Sequence, residues 1–175
     1  MFYTNYYKKR SIPFEDWKFP KIEGNNNFSS IIVIPSYCES KYINKTLDSL
    51  NQQMKFNLSN LLVIIVINNS RKDSQDIVHD NIKTMQLIDD FQANYILKYI
   101  DVSTNNNALP DNLSGVGYSR KIGMDFSLKY SNEDTILHCL DADTIVSPLY
   151  LSKITDRYKK NKIKALLVDF EHQID

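Results

Sequence analysis

The chain has 175 residues, 42% hydrophobic and 24% charged, which suits one globular domain with a real core. Lys+Arg and Asp+Glu both number 21, so it has neither the basic footprint of a nucleic-acid binder nor a charge that would draw it to an anionic membrane. Four glycines and five prolines argue against long flexible linkers, and the longest apolar run, Leu61 to Ile67, is too short to span a bilayer.

The opening residues 1–29 carry Tyr3, Tyr6, Tyr7, Phe14, Trp17 and Phe19 without a sustained period. They read as an irregular arm that packs aromatics against the domain that follows, residues 30–175. They lack the apolar stretch of a secretory signal, which implies a cytoplasmic chain with any membrane association made by parts outside it. In such a chain Cys38 and Cys139 are expected to be reduced and buried.

A regular alternation then begins. SSIIVIP (29–35) predicts a buried strand stopped by Pro35. Residues 40–53 predict a helix with Ile43, Leu47 and Leu50 on one face and Ser40 as N-cap. LLVIIVI (61–67) is a second strand, stopped by Asn68 and Asn69. Residues 74–91 predict a helix burying Ile77, Ile82, Met85 and Ile88, and YILKYID (95–101) a third strand nearer an edge. A polar loop from Val102 to Leu113 leads into a helix over 115–130 with Ile122, Met124, Phe126 and Leu128 as its apolar positions. DTILHCLD (134–141) is a fourth strand, 148–160 a helix with Pro148 in its first turn, and IKALLVDF (163–170) a fifth strand.

Strands alternating with helices predict an α/β fold with a mostly parallel sheet flanked by helices. Ligands of such sheets bind beyond the carboxyl ends of the strands. Here those ends carry Ser36-Tyr37, Asn68-Asn69, Asp101 and Asp141-Ala142-Asp143. Two residues apart by one position on a strand point to the same side. Two carboxylates so placed repel unless a cation sits by them, and a hard divalent ion prefers oxygen ligands and shares them with phosphates. The same pair also suits a surface turn, with Asp143 capping the helix near Pro148.

The residues resemble the family 2 glycosyltransferases of the GT-A (Rossmann-like) fold. Pro35, Tyr37, Glu39, Ser49-Leu50 and Gln53 match the opening strand and helix of that family. LLVIIVINNS matches its second strand, Arg120 and Gly123 its arginine-bearing helix, and ILHCLDADTIVSPLYL its D-x-D strand with the helix after it. The resemblance spans about residues 30–170, and it implies a metal-dependent, inverting transfer of sugar from a nucleotide-diphosphate sugar to an acceptor hydroxyl. By the same resemblance Pro35, Ser36, Tyr37 and Glu39 line the donor pocket, and Asn69, beside Asn68, stands where an aspartate pairs with the base. Arg120 lies on the nucleotide side. Asp141, Ala142 and Asp143 form the D-x-D, in which Asp143 is the direct ligand of Mn2+ or Mg2+ and Asp141 faces the ribose or the metal's water shell.

Two departures stand out. The amides of Asn68 and Asn69 can accept a hydrogen bond but lack the charge of the usual acid. The family's general base is a carboxylate beyond the fifth strand, whereas this sequence stops at Asp175, and neither Asp169, Glu171 nor Asp175 is assigned that role. The implied fold is therefore incomplete on the acceptor side, and the rival reading is a catalytically silent donor-binding fragment. Lys121 reads as solvated, His79 as solvated, His138 as buried and hydrogen-bonded, and His172 as a late ligand only in a complete fold. A receiver-like domain is disfavoured because Ser36-Tyr37 stand where its acidic pair would be. GVG (115–117) lacks a dinucleotide fingerprint.

Overall fold

The computed structural model describes residues 4–12, 19–23, 28–161, 163–169 and 171. The apolar runs form the expected parallel sheet. Strand β1 (Ser30–Ser36) lies between β2 (Leu61–Asn68) and β4 (Ile136–Cys139), and β3 (Ile96–Val102) flanks β2, giving the order β3-β2-β1-β4. Every residue of β1 and β2 is buried, as expected for central strands covered on both faces. In β1 alternate side chains serve two cores. Ile32 and Ile34 join the helices α2 (Ile43–Asn51), α3 (Gln75–Asp90) and α5 (Tyr150–Asn161) on one face, while Ile31 and Val33 join α4 (Val116–Ser127) on the other.

Helix α4 sits very close to the sheet. A Cβ on Gly123 would fall 2.4 Å from Val33 Cγ1 and 2.9 Å from Val66 Cγ2, both on β-branched side chains with little freedom to turn. Gly123→Ala is therefore expected to destabilise the protein by about 2 kcal/mol, overpacking outweighing the better helix propensity of alanine. The midpoint of urea unfolding should fall accordingly.

His138 on β4 is buried, with Nε2 3.2 Å from Ser30 Oγ and Nδ1 3.4 Å from Tyr150 Oη. Burial pushes its pKa down from 6.5 to about 4. The unfolded chain takes up this proton first, so the stability held by neutral His138 is intact above pH 6.5 and is lost as pH falls towards 4. The total is about 3 kcal/mol, and His138→Gln should flatten that part of a stability-against-pH curve.

Several expectations are corrected. Residues 163–169 form no strand: Leu166, Leu167 and Val168 are exposed, Leu167 at 98%, and the four-stranded sheet makes no ladder with them. The arm is not wholly irregular, since Thr4–Arg10 form a short helix, α1. Tyr3, Phe14 and Trp17 lie outside the described residues, but Phe19 does pack on Phe126, with ring centroids 5.0 Å apart. Ser40 does not cap α2. Its N–H and hydroxyl both donate to Asp80, and the helix starts after Tyr42. On α3, Ile82 faces solvent while Asn81 and Thr84 are buried beside Ile88. Both cysteines are free thiols but exposed, not buried.

Lys121 is tied down instead of solvated. Its ammonium reaches Asp125 Oδ2 at 2.7 Å, the Arg10 carbonyl at 2.9 Å and the Tyr6 hydroxyl at 3.0 Å. Asp125 is buried and also accepts from the Tyr6 hydroxyl (2.7 Å) and the Ile12 N–H (2.9 Å), while the Tyr7 hydroxyl donates to its backbone carbonyl. This cluster pins the N-terminal segment to α4. Among the described residues no helix is long and apolar enough to cross a membrane.

Candidate active site

Parallel pairing in register sets where the chain leaves the sheet. Ser36 lies beside Ile67, and Cys139 beside Val33 with the Leu140 N–H donating to the Val33 carbonyl at 3.2 Å. The exits of β1, β2 and β4 are thus neighbours at one end of the sheet. A cavity of about 630 Å³ opens there, lined by Pro35, Tyr37, Glu39, Asn68, Asn69, Arg120, Asp141, Ala142 and Asp143. Ser70, Asp73, Ser114, Gly115 and Val116 complete its wall. Ser36 is buried beneath it and does not line it. Asp101 is not part of it either: its carboxylate is turned into its own loop, accepting from Ser103 and Thr104.

The aspartate pair stands on a turn, not on the strand itself, because β4 ends at Cys139. Ala142 explains the spacing. Its methyl is buried in the core, and its carbonyl accepts from Thr46 Oγ1 at 2.7 Å, so the flanking Asp141 and Asp143 face outward into the cavity. Helix α2 and the residues just past its end hold the whole segment. Ser49 Oγ accepts from the Val146 N–H (3.2 Å), and Gln53, two residues beyond the helix, donates to the Ser147 carbonyl (2.8 Å) and accepts from the Leu151 N–H (3.0 Å). Thr46 and Ser49 are three apart on α2, the spacing of one helix face. Sequence reasoning used that period for the apolar positions only, and so missed Thr46.

Charge at this end is uneven. Arg120 ion-pairs with Asp141, while its Nε is buried with no partner among the described residues. Burial first, then Asp143, Asp80 and Asp141, push the Glu39 carboxyl up from 4.5 to about 6. Burial is the largest cause, and the neighbouring carboxylates add smaller parts that a cation would relieve. Asp141 and Asp143 are hard oxygen donors suited to magnesium or manganese, which bind through one or two carboxylates and fill the shell with phosphate oxygens and water. Among the described residues no set of three or more acidic, His or Cys side chains could hold a metal ion unaided. Two carboxylates by themselves leave most of a divalent cation's shell to other oxygens.

The remaining wall is aromatic and amide-rich. Tyr37 is 43% exposed, and partial burial followed by the Asp73 charge raises its pKa. Asn68 and Asn69 are buried and bonded internally. Asn68 Nδ2 donates to the Ser36 carbonyl, and Asn69 accepts from Asn81 at 3.0 Å while donating to the Ser70 carbonyl at 2.9 Å. The start of α4 also lines the cavity, and there Gly115 adopts φ 125, a left-handed value that favours glycine.

The family model described as glycosyl transferase family 2 matches residues 31–173. The chain belongs to that family. Three solved structures share its fold trace at 19% identity: residues 1–349 of S. aureus TarS with UDP (TM-score 0.48), with UDP-GlcNAc (0.47) and without ligand (0.46). Each match covers 76% of this chain and 32–33% of the TarS chain, so the family 2 chain described here spans about a third of those proteins' length. No curated protein matches it. Of the positions that resemble the family, Gly123, Ser49 and Gln53 do structural work: the first admits α4 to the sheet, the others brace the aspartate turn.

Proposed function

We propose that the cavity binds a nucleoside-diphosphate sugar together with a divalent cation, and that the chain serves transfer of the sugar to an acceptor hydroxyl. The supporting observation is that Tyr37, Asp141, Asp143, Arg120 and the start of α4 line a single cavity. The aromatic ring suits a base. Asp141 and Asp143 would hold the cation, whose charge offsets that of the departing diphosphate. The Arg120 side chain and the first N–H groups of α4 line the cavity and are donors that phosphate oxygens can use. The acceptor oxygen attacks the anomeric carbon as the bond to the diphosphate breaks, and its proton passes to a base. One displacement of this kind inverts the anomeric centre.

The base is assigned to no residue. Asp169 and Glu171 do not line the cavity, and His172 and Asp175 lie outside the described residues. A second reading is a chain that binds the donor without turning it over. Melting temperature with manganese and a panel of UDP-, GDP-, dTDP- and CDP-sugars tests donor binding. A ligand at about 100 times its Kd should stabilise by about 2.7 kcal/mol, several degrees for a chain of this size. No shift across the panel contradicts the proposal. Donor hydrolysis or transfer in the same samples separates the active from the silent reading.

A further inference from the structure

Resting on the donor-binding reading, we infer that Asp73, not Asn69, is the side chain that meets the hydrogen-bonding edge of the donor's base, as an acceptor. The selected base then carries a ring N–H, as uracil, thymine and guanine do and cytosine and adenine do not. Three observations carry this. Asn69 stands at the β2 exit, but it is buried and its amide is held from both sides: the oxygen accepts from Asn81 Nδ2 and the nitrogen donates to the Ser70 carbonyl. Asn81 is itself locked, with its oxygen accepting from the Cys38 N–H at 3.0 Å and its nitrogen also donating to the Asn68 carbonyl at 3.1 Å. Turning Asn69 towards a base would break that buried network. Asn68 is buried and donates to the Ser36 carbonyl.

Asp73 lies on the same wall and has capacity to spare. One oxygen accepts from the Ser70 N–H at 2.8 Å and closes the turn after β2. An ionised carboxylate accepts about four hydrogen bonds, so sites are left for a ligand. Tyr37 and Asp73 line the same cavity, and the Asp73 charge helps to raise the pKa of the Tyr37 hydroxyl, so the ring and the acceptor stand near one another in its wall. A base stacked on the ring turns its edge to Asp73. Uracil offers N3–H there, whereas cytosine turns the lone pair of N3 towards a negative oxygen. The turn itself is fixed, since Leu109 N–H donates to the Asn69 carbonyl and Arg71 N–H to the Leu109 carbonyl, both at 3.0 Å.

The test measures the affinities of UDP, dTDP, GDP and CDP, each with manganese, for the wild type, D73N and D73S. Asparagine and serine can both keep the cap on the Ser70 N–H, so melting temperatures should hold. A hydrogen bond to a charged group predicts that the wild type prefers at least one ring-N–H diphosphate over CDP by about tenfold or more, and that both variants shrink the preference to about threefold or less. Variants that fold and retain the full preference would reduce Asp73 to a turn cap and overturn the inference. So would a wild type that binds all four alike, which leaves the donor reading intact. If none of the four binds the wild type, the donor reading fails and the inference with it.

Discussion

Asp143→Ala should abolish the manganese-dependent stabilisation by a nucleotide sugar and lower any transfer or donor hydrolysis by about 100-fold or more, since a bound cation is asked to supply several kcal/mol of charge stabilisation. The substitution removes one of two carboxylates from an exposed turn whose shape is set by Ala142 and its bond from Thr46, so the apo protein should keep its fold. It should also relieve Glu39, because Asp143 is the largest charge acting on that carboxyl after burial. The Glu39 pKa should therefore fall from about 6 towards its ordinary value, which a carboxyl NMR titration reads directly. Asp141→Asn is the instructive comparison. Asp141 is engaged by Arg120, so its loss should weaken donor binding through two routes, the cation and the freed guanidinium. A donor response in Asp143→Ala equal to that of the wild type would remove the D-A-D turn from the site.

Asp125→Ala is expected to cost about 3 kcal/mol. This buried carboxylate accepts from Tyr6, the Ile12 N–H and Lys121 at once. Its removal leaves the Ile12 N–H without its acceptor and unpairs Lys121. Melting should drop by roughly 6–12 °C, and the segment from Thr4 to Ile12 should become open to limited proteolysis. Donor binding should survive in the folded fraction, because the residues of α4 that line the cavity, Val116 and Arg120, precede Asp125 by more than one helical turn and make no bond to it. A variant that melts like the wild type would show that the cluster contributes nothing net.

The sheet was readable because its information is local. Unbroken runs such as Leu61 to Ile67 can only be buried strands or short core helices; β1 runs one residue past the expected stop at Pro35, and β2 ends at Asn68. The residues that follow those strand ends line one cavity. What the sequence hid depends on partners distant along the chain. Residues 163–169 have the apolar content of a strand, but a strand exists only with a neighbour to pair with, and the four-stranded sheet supplies none. Lys121 looks like any surface lysine until Asp125, Tyr6 and the Arg10 carbonyl are brought round it. Asn81 falls on a helix whose apolar spacing points to Ile82 instead. Only the folded loops after β1 and β2 show why a buried amide is wanted there, since it bonds Cys38, Asn68 and Asn69 together. Asp73 escaped notice for the same reason: nothing in its neighbours says that Tyr37 will stand against it.

The central claim is that one ligand spans Tyr37 and the D-A-D turn through a shared cation, and paramagnetic broadening by manganese reports on it most directly. In the presence of UDP, amide signals of Asp141, Ala142, Asp143 and Glu39 should broaden first, while Tyr37 and Ser70 shift on nucleotide addition. Broadening centred elsewhere, at Asp89 and Asp90 or at Asp111, or nucleotide shifts that leave Tyr37 unmoved, would contradict it.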